Sequence, residues 1–414
     1  MAIKKNYSTE EEISVLEDGK QLQIDYSDLK VEGRTLETTA ILEELDFTFK
    51  HKGYTIVDKL KDGFKTDIKA ISFFSGAGGL DIGSCLAGVE VISSMDFDAD
   101  CVKTLSANPL FENAHISHSD ISNIKGNDYK NLLKKVKPKK LILIGGPPCQ
   151  PFSKAGYWVG NNSRLGINDP RNMIGEYLRI VEELQPDGFL LENVESLLHP
   201  TNRVAVDFII ERINQLGYHY TLVRANAIDY GVPQKRKRVF FVASKKAFRT
   251  TEPVKTHGSD EERLLNPNLL PYERVVDWIG KFDTPDFFER QETTDNGTYH
   301  EELGQVPPGK NYIALTAAAG YPDPKFIAQK RFWSFLLKLH PERPSWTVAA
   351  QPGPWVGPFH WKSRRLRVPE VAAIQTFPED YVFVGSRRSI QKQIGNAVPP
   401  LLGKAMVEFL ISNI

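Results

Sequence analysis

The sequence predicts an α/β protein with two unequal parts, a doubly wound, Rossmann-like sheet domain and a smaller loop-rich domain. Between residues 70 and 248, short apolar runs alternate with helical segments, which is the pattern of a parallel sheet covered by helices on both faces. From about Thr250 to about Pro341 this periodicity fails, and Pro, Asn, Gly and aromatic residues become frequent. Sheets of this kind bind ligands at the carboxyl ends of their strands, so residues that follow strands are the candidates for function.

The predicted strands are short apolar runs, some without the alternation of a half-exposed sheet. They are 70–74, 89–95, 114–116, 141–144, 188–191 and 239–242. The predicted helices are 80–88, 100–108, 176–184, 204–216 and 401–411. The expected division of the chain is an accessory N-terminal region 1–69, a sheet domain 70–248, a loop-rich domain 249–385 and a C-terminal segment 386–414 that returns to the sheet domain.

Composition restricts the class of protein. The 414 residues include 52 basic and 52 acidic side chains, so bulk charge does not drive binding to nucleic acid. The charge is nevertheless divided, because residues 231–250 hold seven basic and no acidic residues and 343–414 hold nine basic and four acidic ones. The three cysteines, together with the lack of an apolar leader or of a long apolar run, predict a protein of the reducing cytoplasm with no membrane partner.

A Gly-rich turn, Phe74-Ser75-Gly76-Ala77-Gly78-Gly79-Leu80, follows the first predicted strand of the sheet and opens a helix. The dinucleotide fingerprint needs a glycine where Asp81 stands, which argues against a nicotinamide cofactor and leaves an adenosyl ligand open. Asp96 is placed to accept hydrogen bonds from ribose, and Asp120-Ile121 to hold and cover an adenine. The alternative is a tight turn with acidic helix caps and no ligand.

A stiff loop, Gly145-Gly146-Pro147-Pro148-Cys149-Gln150-Pro151-Phe152-Ser153, directly follows the strand 141–144. It places Cys149 at the ligand-binding edge of the sheet, between Pro and Gln rather than in an apolar run. A cysteine in this position is a candidate nucleophile if a positive group favours its thiolate. The alternative is an inert cysteine in a turn.

The loop and five further segments resemble, in family order from about residue 70 to 403, the motifs of the C5 cytosine DNA methyltransferases. The further segments are Phe74–Leu80, Leu191-Glu192-Asn193-Val194, Tyr230–Arg238, Arg365-Leu366-Arg367-Val368-Pro369-Glu370 with Ile374–Pro378, and Gln393-Ile394-Gly395-Asn396-Ala397-Val398-Pro399-Pro400. Each motif alone would be only a hypothesis, whereas chance agreement of the whole set is negligible.

The resemblance implies that the sheet domain is an S-adenosylmethionine-dependent methyltransferase domain and that the loop-rich domain recognises the target. Cys149 is expected to add to C6 of cytosine, Glu192 to share a proton with N3, and Arg238 to hold charge at O2. Arg236 is expected to steady the Cys149 loop. Period-2 spacing before the strand 239–242 places Arg236 and Arg238 on one face and the lysines 235 and 237 on the other.

The cofactor implied by the resemblance is S-adenosyl-L-methionine, with S-adenosyl-L-homocysteine as product and no metal. Its expected contacts carry over to ten positions of this sequence: Phe74, Gly76, Gly78, Leu80, Asp96, Asp120, Ile121, Pro147, Asn396 and Val398. Asp96 departs from the glutamate that the family usually has there, which shortens the acid that would meet the ribose.

The implied partner is double-stranded DNA, with the target cytosine flipped out of the helix, because stacking covers C6 in a duplex. The length and the moderate recognition segment suggest a monomeric bacterial restriction-modification methylase, whose cognate restriction endonuclease would act separately. Two alternatives are a tRNA C5 methyltransferase, which shares the Pro-Pro-Cys site, and a catalytically inactive DNA-binding regulator.

Overall fold

The computed structural model describes residues 15–17, 20–22, 49–59, 63–64, 66–148, 172–329 and 332–414. Near the N-terminus, strands β1 (Val15–Glu17) and β2 (Lys20–Leu22) form an antiparallel pair. The centre of the molecule is a seven-stranded sheet, which supports the predicted α/β class. Its strands are β3 (Ile68–Phe73), β4 (Glu90–Asp96), β5 (His115–His118), β6 (Lys140–Gly145), β7 (Gly188–Val194), β8 (His219–Asn226) and β9 (Lys237–Ser244).

The strands lie in the order β5-β4-β3-β6-β7-β9-β8. Six of them run in the same direction, but β9 pairs antiparallel with both β7 and β8, so the sheet is mixed rather than parallel as expected. Strand β8 was not predicted; it is an edge strand whose residues are mostly half-buried or exposed. Only residues 227–236 connect β8 to β9. A link this short, with no crossover helix, returns the chain in the antiparallel sense.

Twelve α-helices are present in the described residues. They are α1 (Ile56–Lys59), α2 (Gly79–Leu86), α3 (Ala99–Ser106), α4 (Lys130–Val136), α5 (Met173–Leu184), α6 (Arg203–Gln215), α7 (Asp260–Leu265), α8 (Val275–Ile279), α9 (His300–Gln305), α10 (Val368–Ile374), α11 (Arg387–Asn396) and α12 (Pro400–Ser412). Short strands β10 (His257–Gly258) and β11 (Leu270–Pro271) form a separate parallel pair.

Successive residues of the central strands alternate between two buried clusters, one on each face of the sheet. On one face Ile71 and Leu143 pack with residues of α5 and α6. On the other face Ala70 and Ile142 pack with residues of α2 and α12. Since both faces are covered, the sheet is doubly wound, and the core of the larger domain consists of these two layers.

The segment from about 250 to 360 is rich in loops and 3-10 turns, as its sequence predicts. It has a small aromatic and aliphatic core of its own, which includes Leu303, Tyr312, Leu336 and Phe359. Such a segment depends on side-chain contacts more than on a regular hydrogen-bonded ladder.

Residues 49–59 lie against the late part of the chain. The Lys52 ammonium is 2.5 Å from a Glu273 carboxylate oxygen, and the Tyr54 hydroxyl donates to the Thr376 carbonyl at 2.8 Å. The Ile56 N–H donates to the Asp380 carboxylate at 2.9 Å. This segment therefore braces residues 273 to 380 rather than the central sheet.

The stretch Arg387–Ser412 is long and apolar enough to cross a membrane by composition, with a mean hydropathy of 1.2, but 67% of its most apolar part is buried inside the protein. Its second half, α12, packs on α2 and on the sheet. Its composition is thus that of a core helix.

Candidate active site

The Gly-rich turn between β3 and α2 has an unusual backbone. Phe74, Gly76 and Gly78 have φ angles of 55°, 54° and 78°, a left-handed conformation that glycine adopts without strain. Gly79 is required for a different reason. A methyl group at this position would overlap the carbonyl oxygen of Val398 and lie 3.1 Å from the Ala397 side chain. The C-terminal motif therefore closes directly over the turn.

Asp81 occupies the position where a dinucleotide fingerprint has glycine. Its side chain is buried and accepts hydrogen bonds from the hydroxyls of Ser72 at 2.9 Å and Ser94 at 2.6 Å. Burial raises the pKa of Asp81 to about 6, although the two serine hydrogen bonds act in the opposite direction. Asp81 thus links β3 to β4 beneath the turn, which explains why the sequence departs from the fingerprint here.

Asp96 ends β4 beside the turn. One carboxylate oxygen accepts from the Gly76 N–H at 2.7 Å and the other accepts from the Asp98 N–H at 2.8 Å. Burial raises the pKa of Asp96 above its usual range. Because each carboxylate oxygen has two lone pairs, Asp96 retains capacity to accept two further hydrogen bonds, which fits a ribose diol. The remaining acceptor capacity suits the ribose of an adenosyl ligand. The Asp96 side chain, shorter than the glutamate usual in the family, is already held in place by the turn.

The other residues expected at the cofactor follow β5 and β6 or belong to the C-terminal motif, and they differ in exposure. Ile121 is 1% exposed and packs in the core, and Asp120 accepts from the backbone N–H and the hydroxyl of Ser122 at 2.9 and 2.7 Å. Pro147 and Val398 are buried, whereas Asn396 is exposed. The contact of the Ile121 side chain with an adenine stays a prediction.

Two aromatic residues at this site were missed by the sequence analysis. Phe97 directly follows Asp96, is 72% exposed, and lies with its ring 6.3 Å from that of His118. The Tyr381 hydroxyl donates to the Ala77 carbonyl at 2.7 Å and so holds the turn from the far end of the chain. Phe97 could have been selected from the sequence, because it is an aromatic residue that directly follows Asp96 at the end of a predicted strand. Tyr381 gave no comparable signal, since 304 residues separate it from Ala77.

On the opposite side of β3, the ends of β6 and β7 hold the second group of predicted residues. The Asn193 side-chain amide donates to the Pro147 carbonyl at 2.9 Å and anchors the loop that follows β6. A side-chain atom at Gly146 would lie 2.9 Å from a carboxylate oxygen of Glu192, so the loop passes very close to that acid. Cys149 lies outside the described residues, which end in this loop at Pro148.

Glu192 forms an ion pair with Arg238, with the Arg238 Nε 2.8 Å from a Glu192 carboxylate oxygen. Burial raises the pKa of Glu192 above its ordinary value, while Arg238 and Arg236 act to lower it. A carboxyl group in this state can donate a hydrogen bond to a ring nitrogen as well as accept one. The two residues predicted to contact the pyrimidine edge are therefore adjacent in space.

Arg236 is buried and Lys235 and Lys237 are exposed, as the period-2 spacing predicts. Its guanidinium donates to the carbonyls of Gly395 at 2.7 Å and Ala397 at 3.0 Å. Burial lowers the pKa of Arg236 below its usual range, and the charge on Arg238 adds to this effect. Arg236 thus holds the C-terminal motif, and its predicted contact with the Cys149 loop lies outside the described residues.

One group of potential metal ligands occurs in the described part of the chain: Asp283, His360 and Glu370, whose ligand atoms lie within 4.8 Å of one another. The Arg364 guanidinium is 2.8 Å from Asp283 and 2.7 Å from Glu370. A cationic side chain already neutralises these two carboxylates, so the arrangement is that of an ion-pair cluster.

The chain is similar in sequence to known proteins. The family model described as C-5 cytosine-specific DNA methylase matches residues 68–412. The Type II methyltransferase M.SacI of Streptomyces achromogenes is 38% identical over 374 residues, covering 84% of this chain and 94% of that protein. The Type II methyltransferase M1.HphI of Haemophilus parahaemolyticus is 32% identical over 353 residues, covering 82% and 86%.

Solved structures show the same fold at low identity. A DNA modification methyltransferase encoded within an E. coli prophage superimposes with a TM-score of 0.56 at 23% identity, covering 84% of this chain and 99% of that one. The Dnmt2 methyltransferase of S. pombe gives a TM-score of 0.54 at 15% identity, covering 83% and 98%. The sequence relatives and the family model together show that this chain belongs to the C-5 cytosine-specific DNA methylases and is a DNA (cytosine-5-)-methyltransferase.

Proposed function

We propose that this enzyme methylates C5 of a cytosine flipped out of a specific short duplex sequence, through a covalent bond between Cys149 and C6. The observation that carries the proposal is the Glu192–Arg238 pair, fixed beside the loop that leads to Cys149 at the carboxyl ends of β6 and β7. One acid and one cation side by side match the N3 and O2 positions of a pyrimidine edge.

In the proposed mechanism the Cys149 thiolate forms a bond to C6, and the electron pair of the C5–C6 double bond moves through the ring toward N3 and O2. Glu192 shares a proton with N3, which burial of its carboxyl group favours by raising its pKa, and Arg238 stabilises the charge at O2. C5 is then nucleophilic. After C5 has gained the methyl group, a base removes the C5 proton, the Cys149–C6 bond breaks and N3 returns its proton to Glu192, which restores the double bond, the thiolate and the Glu192 carboxyl group. Water is the proposed base for that step.

Membership of the family implies S-adenosylmethionine as methyl donor, and when bound it supplies an electrophilic sulfonium methyl group. The proposed contacts are those of the Gly-rich turn (Phe74, Gly76, Gly78 and Leu80), of the acidic strand ends (Asp96, Asp120 and Ile121), and of Pro147, Asn396 and Val398. The spare hydrogen-bonding capacity of Asp96 supports this assignment for the ribose. No metal is part of the proposed mechanism.

DNA is the substrate that the family implies, and we assign its recognition to the domain 249–385. The names of the Type II relatives support a role in a bacterial restriction-modification system, in which methylation protects cytoplasmic DNA from a separate cognate endonuclease. The proposed enzyme is a monomer with an accessory N-terminal region 1–69, a catalytic domain 70–248 and a C-terminal segment 386–414 that completes the catalytic domain.

The test is to capture the covalent adduct. A duplex library in which 5-fluorocytosine replaces cytosine blocks removal of the C5 substituent, so the wild-type enzyme with S-adenosylmethionine should form a complex that survives denaturing electrophoresis. Cys149→Ser should form none, and Cys85→Ala, which changes a buried cysteine outside the site, should form as much as the wild type. Glu192→Gln should bind cofactor normally and form adduct at least a hundredfold more slowly, since about 3 kcal/mol corresponds to this factor.

Adduct formation by Cys149→Ser at the wild-type rate would refute the mechanism. The same assay with unmodified duplex DNA and with tRNA, using labelled methyl groups, separates the DNA enzyme from the tRNA alternative. Methylation of tRNA without methylation of DNA would contradict the proposed substrate.

A further inference from the structure

A cleft of about 540 Å³, with a mixed apolar and polar lining, opens between the segment 348–359 and helices α10 and α11. One of its lining residues is linked to the buried Arg236, whose guanidinium donates to the Val348 carbonyl at 3.4 Å. The backbone of the cleft also lies so close to Gly395 that a side chain there would overlap Ala350. The lining includes Gln291, Gln351, Arg365 and Arg388. The cleft has no role in the chemistry described so far.

The arginines around this cleft differ in their partners. Arg364 is paired with Asp283 and Glu370, Arg367 with Glu292, and Arg387 with Glu289. No carboxylate and no hydrogen-bond acceptor contacts the Arg365 guanidinium among the residues that the structure describes, although this side chain is partly buried. Burial, with a contribution from Arg387, lowers the pKa of Arg365. A partly desolvated cation without an acceptor costs free energy, which a ligand with acceptor atoms would recover.

The plane of Arg365 is held by two aromatic rings. Its Cζ atom lies 5.9 Å from the centre of the Trp355 ring and 6.0 Å from that of Phe359, within the range of a cation–π contact. This packing fixes the direction of a planar fork of N–H donors before any ligand arrives. A preorganised fork suits two acceptors in one plane, whereas a phosphate can also be held by a mobile positive charge such as that of a lysine.

We propose that Arg365 is a specificity-determining residue, which donates to N7 and O6 of a guanine in the target sequence. The neutral amide side chains of Gln291 and Gln351, which line the same cleft, are of the type that reads neighbouring base edges. Arg388, which also lines the cleft, is exposed. We therefore assign to it a contact with a DNA phosphate rather than with a base. This inference rests on the proposed function, because it takes duplex DNA as the substrate.

The experiment compares wild type, Arg365→Lys, Arg365→Ala and Arg388→Ala on a pool of duplexes with randomised sequence, read by bisulfite sequencing. Wild type defines the preferred site. The two Arg365 variants should lose the preference for guanine at one position and fall about tenfold to a hundredfold in kcat/KM on the preferred site. Arg388→Ala should weaken all sequences alike and reduce the slope of log affinity against log salt by about 1.

An Arg365→Ala enzyme with the wild-type sequence profile would overturn the inference, and so would a uniform loss with a changed salt slope, which would make Arg365 a phosphate contact. S-adenosylmethionine binding, measured by calorimetry, checks that each variant is folded. If Arg365→Ala does not fold, the sequence profile of Arg365→Lys decides whether Arg365 reads a guanine. If the wild type leaves no 5-methylcytosine in any duplex, the proposed function fails and the inference fails with it. If the wild type methylates DNA, the sequence profiles of the Arg365 variants test only the proposed guanine contact and leave the proposed function unaffected.

Discussion

The buried carboxyl of Asp81 should make the enzyme less stable as the pH rises. Its pKa is about 6 in the folded protein against 3.8 for an ordinary aspartate, so the folded state binds the proton more tightly than the unfolded chain does. The stabilisation from that proton is therefore fully present below pH 3.8 and is lost as the pH rises through 6. The difference of about 2 pKa units corresponds to about 3 kcal/mol of folding free energy in total. About 1.4 kcal/mol of this stabilisation is lost between pH 5 and pH 8.

Asp81→Asn removes the titration and keeps the shape of the side chain. We expect the free energy of unfolding of the variant, minus that of the wild type, to increase by about 1.4 kcal/mol from pH 5 to pH 8. Urea unfolding followed by tryptophan fluorescence at half-unit pH intervals measures this difference. Ser94→Ala, which removes one of the two serine donors, should raise the pKa of Asp81 further and move the transition to higher pH. A difference between Asp81→Asn and wild type that is constant across this range would refute the reasoning.

Three further substitutions test the packing around the two halves of the site. Gly79→Ala should lower the free energy of unfolding by about 1–3 kcal/mol, because the added methyl group overlaps the C-terminal motif, and it should weaken S-adenosylmethionine binding in calorimetry. Gly304→Ala, at a position with open space around it, should lower neither stability nor binding. Tyr381→Phe should lower stability by about 1 kcal/mol through one lost hydrogen bond, and unchanged urea and cofactor titrations would contradict that. Arg236→Met should cost about 1–3 kcal/mol because it removes the Arg236 donor from the Gly395 carbonyl and one of the two side-chain donors from the Ala397 carbonyl, while Lys237→Met on the exposed face should stay within about 0.5 kcal/mol in the same unfolding assay.

Apolar runs in the sequence were enough to predict six of the seven strands of the central sheet, because continuous burial leaves a strong compositional signal. They did not indicate direction, so β9 was taken as parallel. The edge strand β8 escaped because its residues are mostly half-buried or exposed and carry a weak signal. The existence of β8 could have been inferred only from its short link to β9, once β9 was known to run antiparallel to its neighbours.

The candidate site divides in a similar way. Glu192 and Arg238 could be selected from their motifs, and their separation of 2.8 Å agrees with neighbouring roles. The contacts of Arg236 with Gly395 and Ala397 could not be selected, because they join residues about 160 positions apart by backbone carbonyls, which every residue has. The lack of an acceptor for the Arg365 guanidinium among the described residues was equally hidden, since its sequence neighbours Arg364 and Arg367 are paired and nothing in the sequence separates the three.

The closure of the Gly-rich turn by Val398 has a consequence for the order in which the protein is made. The ribosome releases residue 79 long before residue 398, by roughly twenty seconds to a minute at ordinary rates of synthesis. Until residues 395–398 emerge, the early part of the chain lacks the carbonyl that packs against its Gly-rich turn and the two acceptors that hold Arg236. A nascent chain is therefore expected to be inactive, because the same four residues complete both halves of the proposed site in a single late event.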